Sequence, residues 1–163
     1  QMVRDFRKPL VVFTPKSLLR HPRCTSTLSE LSTGKFQEVI DDPSADPSDT
    51  KRVILCSGKV YYDLLAKKEE LENTSVALVR LEQLDPLPRK QLNLLQKKYG
   101  KANWIWLQEE PENMGAWSHM LRKLRQIDLD LISRPPSGAP ATGSGQRHRT
   151  EQKALVERAF ADI

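Results

Sequence analysis

Short apolar runs alternate along this chain with polar stretches of helical period. Residues 10–13 read Leu-Val-Val-Phe, 53–56 Val-Ile-Leu-Cys, 76–81 Val-Ala-Leu-Val-Arg-Leu and 104–107 Trp-Ile-Trp-Leu. Apolar runs this short, the third interrupted only by Arg80, suit strands covered on both faces, as in a parallel sheet. Residues 36–40 alternate apolar and polar, which predicts a half-exposed strand, and 129–132 form a last candidate strand. From Val60 the pattern turns helical, with Val60, Leu64, Leu65 and Leu71 spaced for one face, ending at Asn73 or Thr74. A second helix is predicted over 91–99 with Leu92 and Leu95 inside and Gly100 as its stop. Asn113 is placed to cap a third, carrying Trp117, Met120, Leu121 and Leu124. Residues 150–160 predict a closing helix with Leu155, Val156, Ala159 and Phe160 available for docking. Helical turns are expected at 17–20 and 26–31, and solvated loops at 41–50 and 134–145, which are rich in Pro, Ser, Asp or Gly.

Strands alternating with helices predict an α/β fold: three layers, a mainly parallel sheet of about five strands, helices on both faces. The 163 residues suit one domain. Residues 1–8 are charged and lead straight into the first apolar run, unlike a signal peptide, and read as the remnant of an interdomain linker. No internal repeat is present.

Charge and cysteine content narrow the class. The net charge is +5, yet Lys and Arg are interspersed with Asp and Glu and no basic arm exists, which argues against nucleic acid as a partner. No apolar run approaches the ~20 residues of a membrane span. Cys24 and Cys56 form no metal motif and no disulfide framework; Cys56, inside an apolar run, reads as a buried free thiol.

Candidate chemistry is sparse. Ser57-Gly58-Lys59 joins a strand to a helix and offers backbone donors, a helix N-terminus and an ammonium, all favourable to an anion. The plainer reading is a tight turn that folds the helix back on the sheet. Glu109 and Glu110 follow a buried run; adjacent residues on extended chain point opposite ways, so one is expected to bond backbone or an arginine and the other to face a neighbouring domain, a structural ion pair rather than catalysis. His21, His119 and His148 lack metal spacing and read as surface or loop residues. Trp104, Trp106 and Trp117 read as core or interface anchors. From the residues alone, this is an α/β domain without a self-contained active site.

Several blocks carry a resemblance. RKPLVVFTPKSLLRHP spans 7–22, FQEVI 36–40, SGKVYYDL 57–64, RLEQL 80–84 with Pro86 beyond, and QEEPENMGAW 108–117; APATGSG at 139–145 precedes His148 and Glu151-Gln152. In this order the chain resembles the C-terminal domain of 2-oxoglutarate dehydrogenase decarboxylases over nearly its whole length. The resemblance implies a transketolase C-terminal-like fold. It implies a parent that decarboxylates 2-oxoglutarate on thiamine diphosphate and Mg²⁺, then passes succinyl to the lipoyl group of an acyltransferase component, as in the tricarboxylic acid cycle. Cofactor residues in that family lie in preceding domains; no Gly-Asp-Gly motif with a following asparagine pair occurs here, so the resemblance assigns this fragment no catalytic, cofactor or metal residue and no activity of its own. Its implied partners are the preceding domains, the second subunit of a homodimer and the lipoyl-bearing succinyltransferase. The implied compartment is the cytoplasm in a bacterium or the mitochondrial matrix in a eukaryote. The same domain of a 2-oxoadipate dehydrogenase is an alternative. Some members bind acetyl-CoA at a site involving this domain, so an acyl-CoA or nucleotide effector module is a further alternative. Thr14, Lys59, Arg89 and Lys90 are its candidate residues, each following a strand or opening a helix.

Overall fold

The computed structural model describes residues 5–9 and 11–163. It divides into two units, Gln1–Lys35 and Phe36–Ile163. In the first unit a 3-10 turn, Lys16–Leu18, precedes helix α1, Leu28–Thr33. Thr27 opens α1 with a capping box: its hydroxyl accepts from the Glu30 N–H, and the Glu30 carboxylate accepts from the Thr27 N–H at 2.7 Å. No described residue of this unit is buried. The strand expected over 10–13 does not form at its described positions: Val11, Val12 and Phe13 lie outside any ladder and are exposed, Phe13 at 94%. Leu10 lies outside the described residues. An apolar run signals surface that favours burial, but a strand also needs a neighbour to take its backbone hydrogen bonds.

The second unit is a five-stranded sheet in the order β1-β3-β2-β4-β5. Its strands are β1 Val39–Ile40, β2 Arg52–Cys56, β3 Val76–Leu81, β4 Asn103–Pro111 and β5 Leu129–Arg134. Strands β2 to β5 run parallel, while β1 lies antiparallel on the β3 edge. The helices are α2 Val60–Glu70, α3 Arg89–Lys98, α4 Trp117–Lys123 and α5 Gly145–Ala159.

The period of two along each strand sends alternate side chains to opposite layers. Val53, Leu55, Val79, Trp104 and Trp106 meet Leu92, Leu95 and Tyr99 of the α3 region and Met120 and Leu124 of the α4 region. On the other face Ile54, Cys56, Leu78, Ile105 and Leu107 meet Val60 and Leu64 of α2 and Leu155 and Ala159 of α5. The α/β sandwich expected of a transketolase C-terminal-like domain is therefore present, with helices on both faces.

Boundaries differ from the sequence expectation where polar chemistry decides. Helix α2 stops at Glu70 rather than at Asn73 or Thr74; the Asn73 side chain instead accepts from Ser75 N–H and Val76 N–H and starts β3. Asn113 does not cap α4, whose N-cap is Ala116. Its amide pairs in both directions with the Ser137 backbone at 3.0 Å. The 41–50 loop is more than a connection. Asp42 is buried and accepts from the Leu78 N–H at 2.9 Å, continuing the β3 edge where β1 ends. Lys68 of α2 reaches the same carboxylate at 2.7 Å. Burial pushes the Asp42 carboxyl up, but the Leu78 N–H, the Lys68 ammonium and the Ser44 donors outweigh it and hold it below its ordinary 3.8.

Candidate functional site

Strand order and helix faces together locate the site. Strand β2 feeds α2 on one face, and its neighbour β4 feeds α4 on the other. Chains leaving adjacent strands in opposite directions open a crevice at the carboxyl edge of a parallel sheet. A cavity of about 480 Å³ lies there. Ser57 and Gly58 form one wall, Gly115, Ala116 and His119 another, with Trp106 and Leu107 at the base. Leu84 and Asp85, after β3, with Gln108 and Glu110 of β4, complete its lining.

Gln108 organises this end of β4. It is 3% exposed and uses both ends of its amide. Its Oε1 accepts from Trp106 Nε1 at 2.8 Å and from the Trp117 N–H at 3.0 Å; its Nε2 donates to the carbonyls of Met114 at 2.7 Å and Pro111 at 3.0 Å. A buried amide so bonded is stabilising, whereas the same group unpaired costs about 1–3 kcal/mol. These bonds fold residues 108–117 into the wall that starts α4. Gly115 makes the approach possible: its φ is +68°, and a Cβ there would meet the Gln108 amide group at 3.0 Å.

The charged groups around the crevice are mostly paired. Lys59 Nζ lies 2.5 Å from Glu109 Oε1 and 3.8 Å from Asp63 Oδ2. The carboxylate after the buried run thus forms a structural ion pair as expected, with a lysine rather than an arginine, and Glu110 beside it is exposed. Both side chains of the Lys59–Glu109 pair keep partial solvent access, so the pair locks a turn with modest energy. His119 is a half-buried helical residue rather than a loop one, with Nε2 3.0 Å from the Leu84 carbonyl oxygen and 3.6 Å from Asp85. A carbonyl only accepts, so Nε2 is the donor in this bond.

Within the sheet unit, no described contact joins Lys59 to Arg89 or Lys90. Lys59 opens α2 and Arg89 opens α3, helices that pack on opposite faces. Arg89 Nη1 donates to the Lys123 carbonyl at the end of α4, 3.0 Å away, and Lys90 is exposed. Thr14 lies in the other unit. The sequence reading passed over Gln108, although Trp106 and Gln108, two apart on one strand, must share a face. It also passed over the crevice role of His119, whose signal was its place one helical turn into α4.

The residue pattern finds matching company. A family model described as "2-oxoglutarate dehydrogenase C-terminal" matches residues 25–160. The 2-oxoglutarate dehydrogenase E1 component of Cupriavidus necator is 46% identical over 100% of this chain and 18% of that protein. The 2-oxoadipate dehydrogenase complex component E1 of Xenopus laevis is 44% identical over 99% of the chain and 18% of its own length. The mitochondrial 2-oxoglutarate dehydrogenase of Caenorhabditis elegans is 44% identical over 98% of the chain and 17% of its length. The chain thus spans under a fifth of the curated relatives it matches. With the matched region covering most of its residues, this chain belongs to the 2-oxoglutarate dehydrogenase C-terminal family.

Proposed function

We propose that residues 1–163 are the C-terminal domain of a longer decarboxylase component of a 2-oxoglutarate dehydrogenase complex, with residues 1–8 the end of an interdomain linker. Its work is to complete the subunit and its homodimer. The observation that carries this reading is the end-to-end similarity to such components, joined to a crevice whose wall is the QEEPENMGAW block. In this reading the parent decarboxylates 2-oxoglutarate and hands succinyl to a lipoyl-bearing partner. It works in the bacterial cytoplasm or the mitochondrial matrix, as the named bacterial and mitochondrial relatives suggest. No described helix is long and apolar enough to cross a membrane.

Thiamine diphosphate with Mg²⁺ supplies the carbanion stabilisation in such a parent. The residues here do not fit that group. Among the described residues no three His, Cys, Asp or Glu side chains converge to hold a metal ion, and the best-placed carboxylates bind Lys59 and Lys68. The share of the domain is to present a shaped surface.

The test uses the longer protein with and without this segment. The intact protein is expected to decarboxylate 2-oxoglutarate faster than 2-oxoadipate and to sediment as a dimer; the shortened one loses the dimer. Full activity and a retained dimer after deletion overturn the reading. Preference for 2-oxoadipate assigns the parent to that branch, which the near-equal identities leave open.

An effector role for Thr14, Lys59, Arg89 and Lys90 is a second proposal, supported by Ser57 and Gly58 lining the crevice beside Lys59. Its test is the acetyl-CoA dependence of decarboxylation in the parent with Lys59→Ala and Arg89→Ala. A wild-type rate indifferent to acetyl-CoA and nucleotides ends it.

A further inference from the structure

We propose that the cavity beside Arg134 is a binding site for a small anion bearing a carboxylate or phosphate group. It is independent of the assembly role above and uses different residues from the four effector candidates. Arg134 ends β5 and is 8% exposed. Its Nη2 donates to Gln152 Oε1 at 2.9 Å and to His148 Nδ1 at 3.0 Å. Arginine only donates, so His148 Nδ1 is the acceptor in this bond. Nη1 has a 3.5 Å contact with Glu151 Oε2, and the buried Nε has no hydrogen-bond partner. A guanidinium offers five N–H donors, so with two on Nη2 bonded and one on Nη1 facing Glu151, the buried Nε–H is the donor left without a partner. Native proteins rarely leave such donors unused, and where they do the group serves strain, chemistry or a bound ion.

The surroundings fit an anion. A cavity of about 170 Å³ is lined by Arg134, Arg147, Glu151, Ser137, Thr142 and the proline-rich 135–141 loop. That exceeds the roughly 30 Å³ share of one water in the liquid, so a small molecule has room. Two arginines share one carboxylate: Arg147 Nε lies 2.6 Å from Glu151 Oε1 while Arg134 takes Oε2. One positive charge is left over, and Glu151 is the group an incoming anion displaces. The Ser137 oxygen accepts from the Ala139 N–H, which leaves its own O–H to donate. Arginine forks match carboxylate and phosphate in the same bidentate way, so the chemistry names both classes.

The experiment titrates the 163-residue chain with inorganic phosphate and, separately, with succinate, at constant ionic strength against chloride. Calorimetry gives affinity, and ¹⁵N spectra follow the Arg134 Nε–H directly. Saturable binding of at least one probe with a shift of that resonance is expected; which probe binds tells phosphate from carboxylate. Arg147→Gln, at a side chain that is 71% exposed and safe for the fold, is expected to weaken binding about fivefold or more. Glu151→Gln is expected to tighten it about threefold or more, because it removes the competing charge. An Arg134 Nε–H that moves no more with either probe than with chloride overturns the proposal, as does binding undiminished by Arg147→Gln.

Discussion

Gly115 and Gly58 both adopt left-handed backbone, at φ +68° and +78°, but their surroundings differ. Nothing lies within 4 Å of a Cβ built on Gly58, so Gly58→Ala bears only backbone strain, about 1–2 kcal/mol. At Gly115 the same strain meets the Gln108 amide, held by four partners at 3.0 Å or less. Gly115→Ala is expected to cost about 2–5 kcal/mol in urea unfolding, clearly more than Gly58→Ala. Equal losses would mean that Gln108 yields freely. Cys56 gives a second residue-scale test. Burial pushes its thiol up to about 12, with Arg80 opposing weakly. The folded pKa is raised above the ordinary 9.0, so the protonated thiol contributes stability in full below pH 9, and this is lost as pH rises through about 12. The stability advantage over Cys56→Ala should shrink across that window. At pH 8 a thiol reagent should titrate Cys24 alone in the native chain and both cysteines after unfolding, since Cys24 is exposed. Two equivalents from the native chain would place Cys56 within reach of solvent.

At the scale of elements, α5 tests what holds the second layer. The helix begins at Gly145, with the Ser144 side chain accepting from the Arg147 N–H, five residues before the sequence expectation of Thr150. Its first turn is wholly polar, so hydrophobic periodicity had nothing to register there; the serine cap was the available sign. Phe160 is the C-cap and only half-buried, whereas Leu155 is 2% exposed against the sheet. Leu155→Ala is therefore expected to cost about 2–5 kcal/mol, and Phe160→Ala only about 1–2 kcal/mol. Denaturant midpoints of the two variants decide it; a costlier Phe160→Ala would mean the ring is the anchor. The same logic separates what the sequence disclosed from what it hid. Strand β2 and the first half of β4 were legible because each is built on an unbroken apolar run, and β3 because its run is interrupted only by Arg80. The last third of β4 was not, because Gln108, Glu109 and Glu110 look like loop until their hydrogen bonds and the Lys59 pair are seen. Asp42 and Arg134 were invisible for the same reason: a buried charge is defined by partners distant in sequence. The crevice itself follows from strand order, which composition does not encode.

At the scale of the whole molecule, the two units have unequal means of stability. Both hydrophobic clusters of the sheet are built from residues between Val39 and Ile163. The first unit has no buried described residue and leaves Val11, Val12, Phe13, Leu28 and Leu31 exposed. Ordering a residue costs about 1–2 kcal/mol in backbone entropy, and burial is the main term that offsets it. A unit none of whose described residues is buried is expected to contribute little to cooperative unfolding. Contiguous exposed apolar residues are instead typical of a surface made for a partner, which agrees with the proposed place of this chain beside preceding domains. Residues 36–163 alone are therefore expected to unfold in one transition, within about 0.5 kcal/mol of the 163-residue chain at equal denaturant. The longer form is expected to scatter more light as concentration rises, because it carries the apolar run at 11–13. Side-by-side urea titration and light scattering of the two forms check both parts. A loss above about 1 kcal/mol on removing residues 1–35 would show that the first unit stabilises the sheet, and equal scattering would show that its apolar side chains are not adhesive.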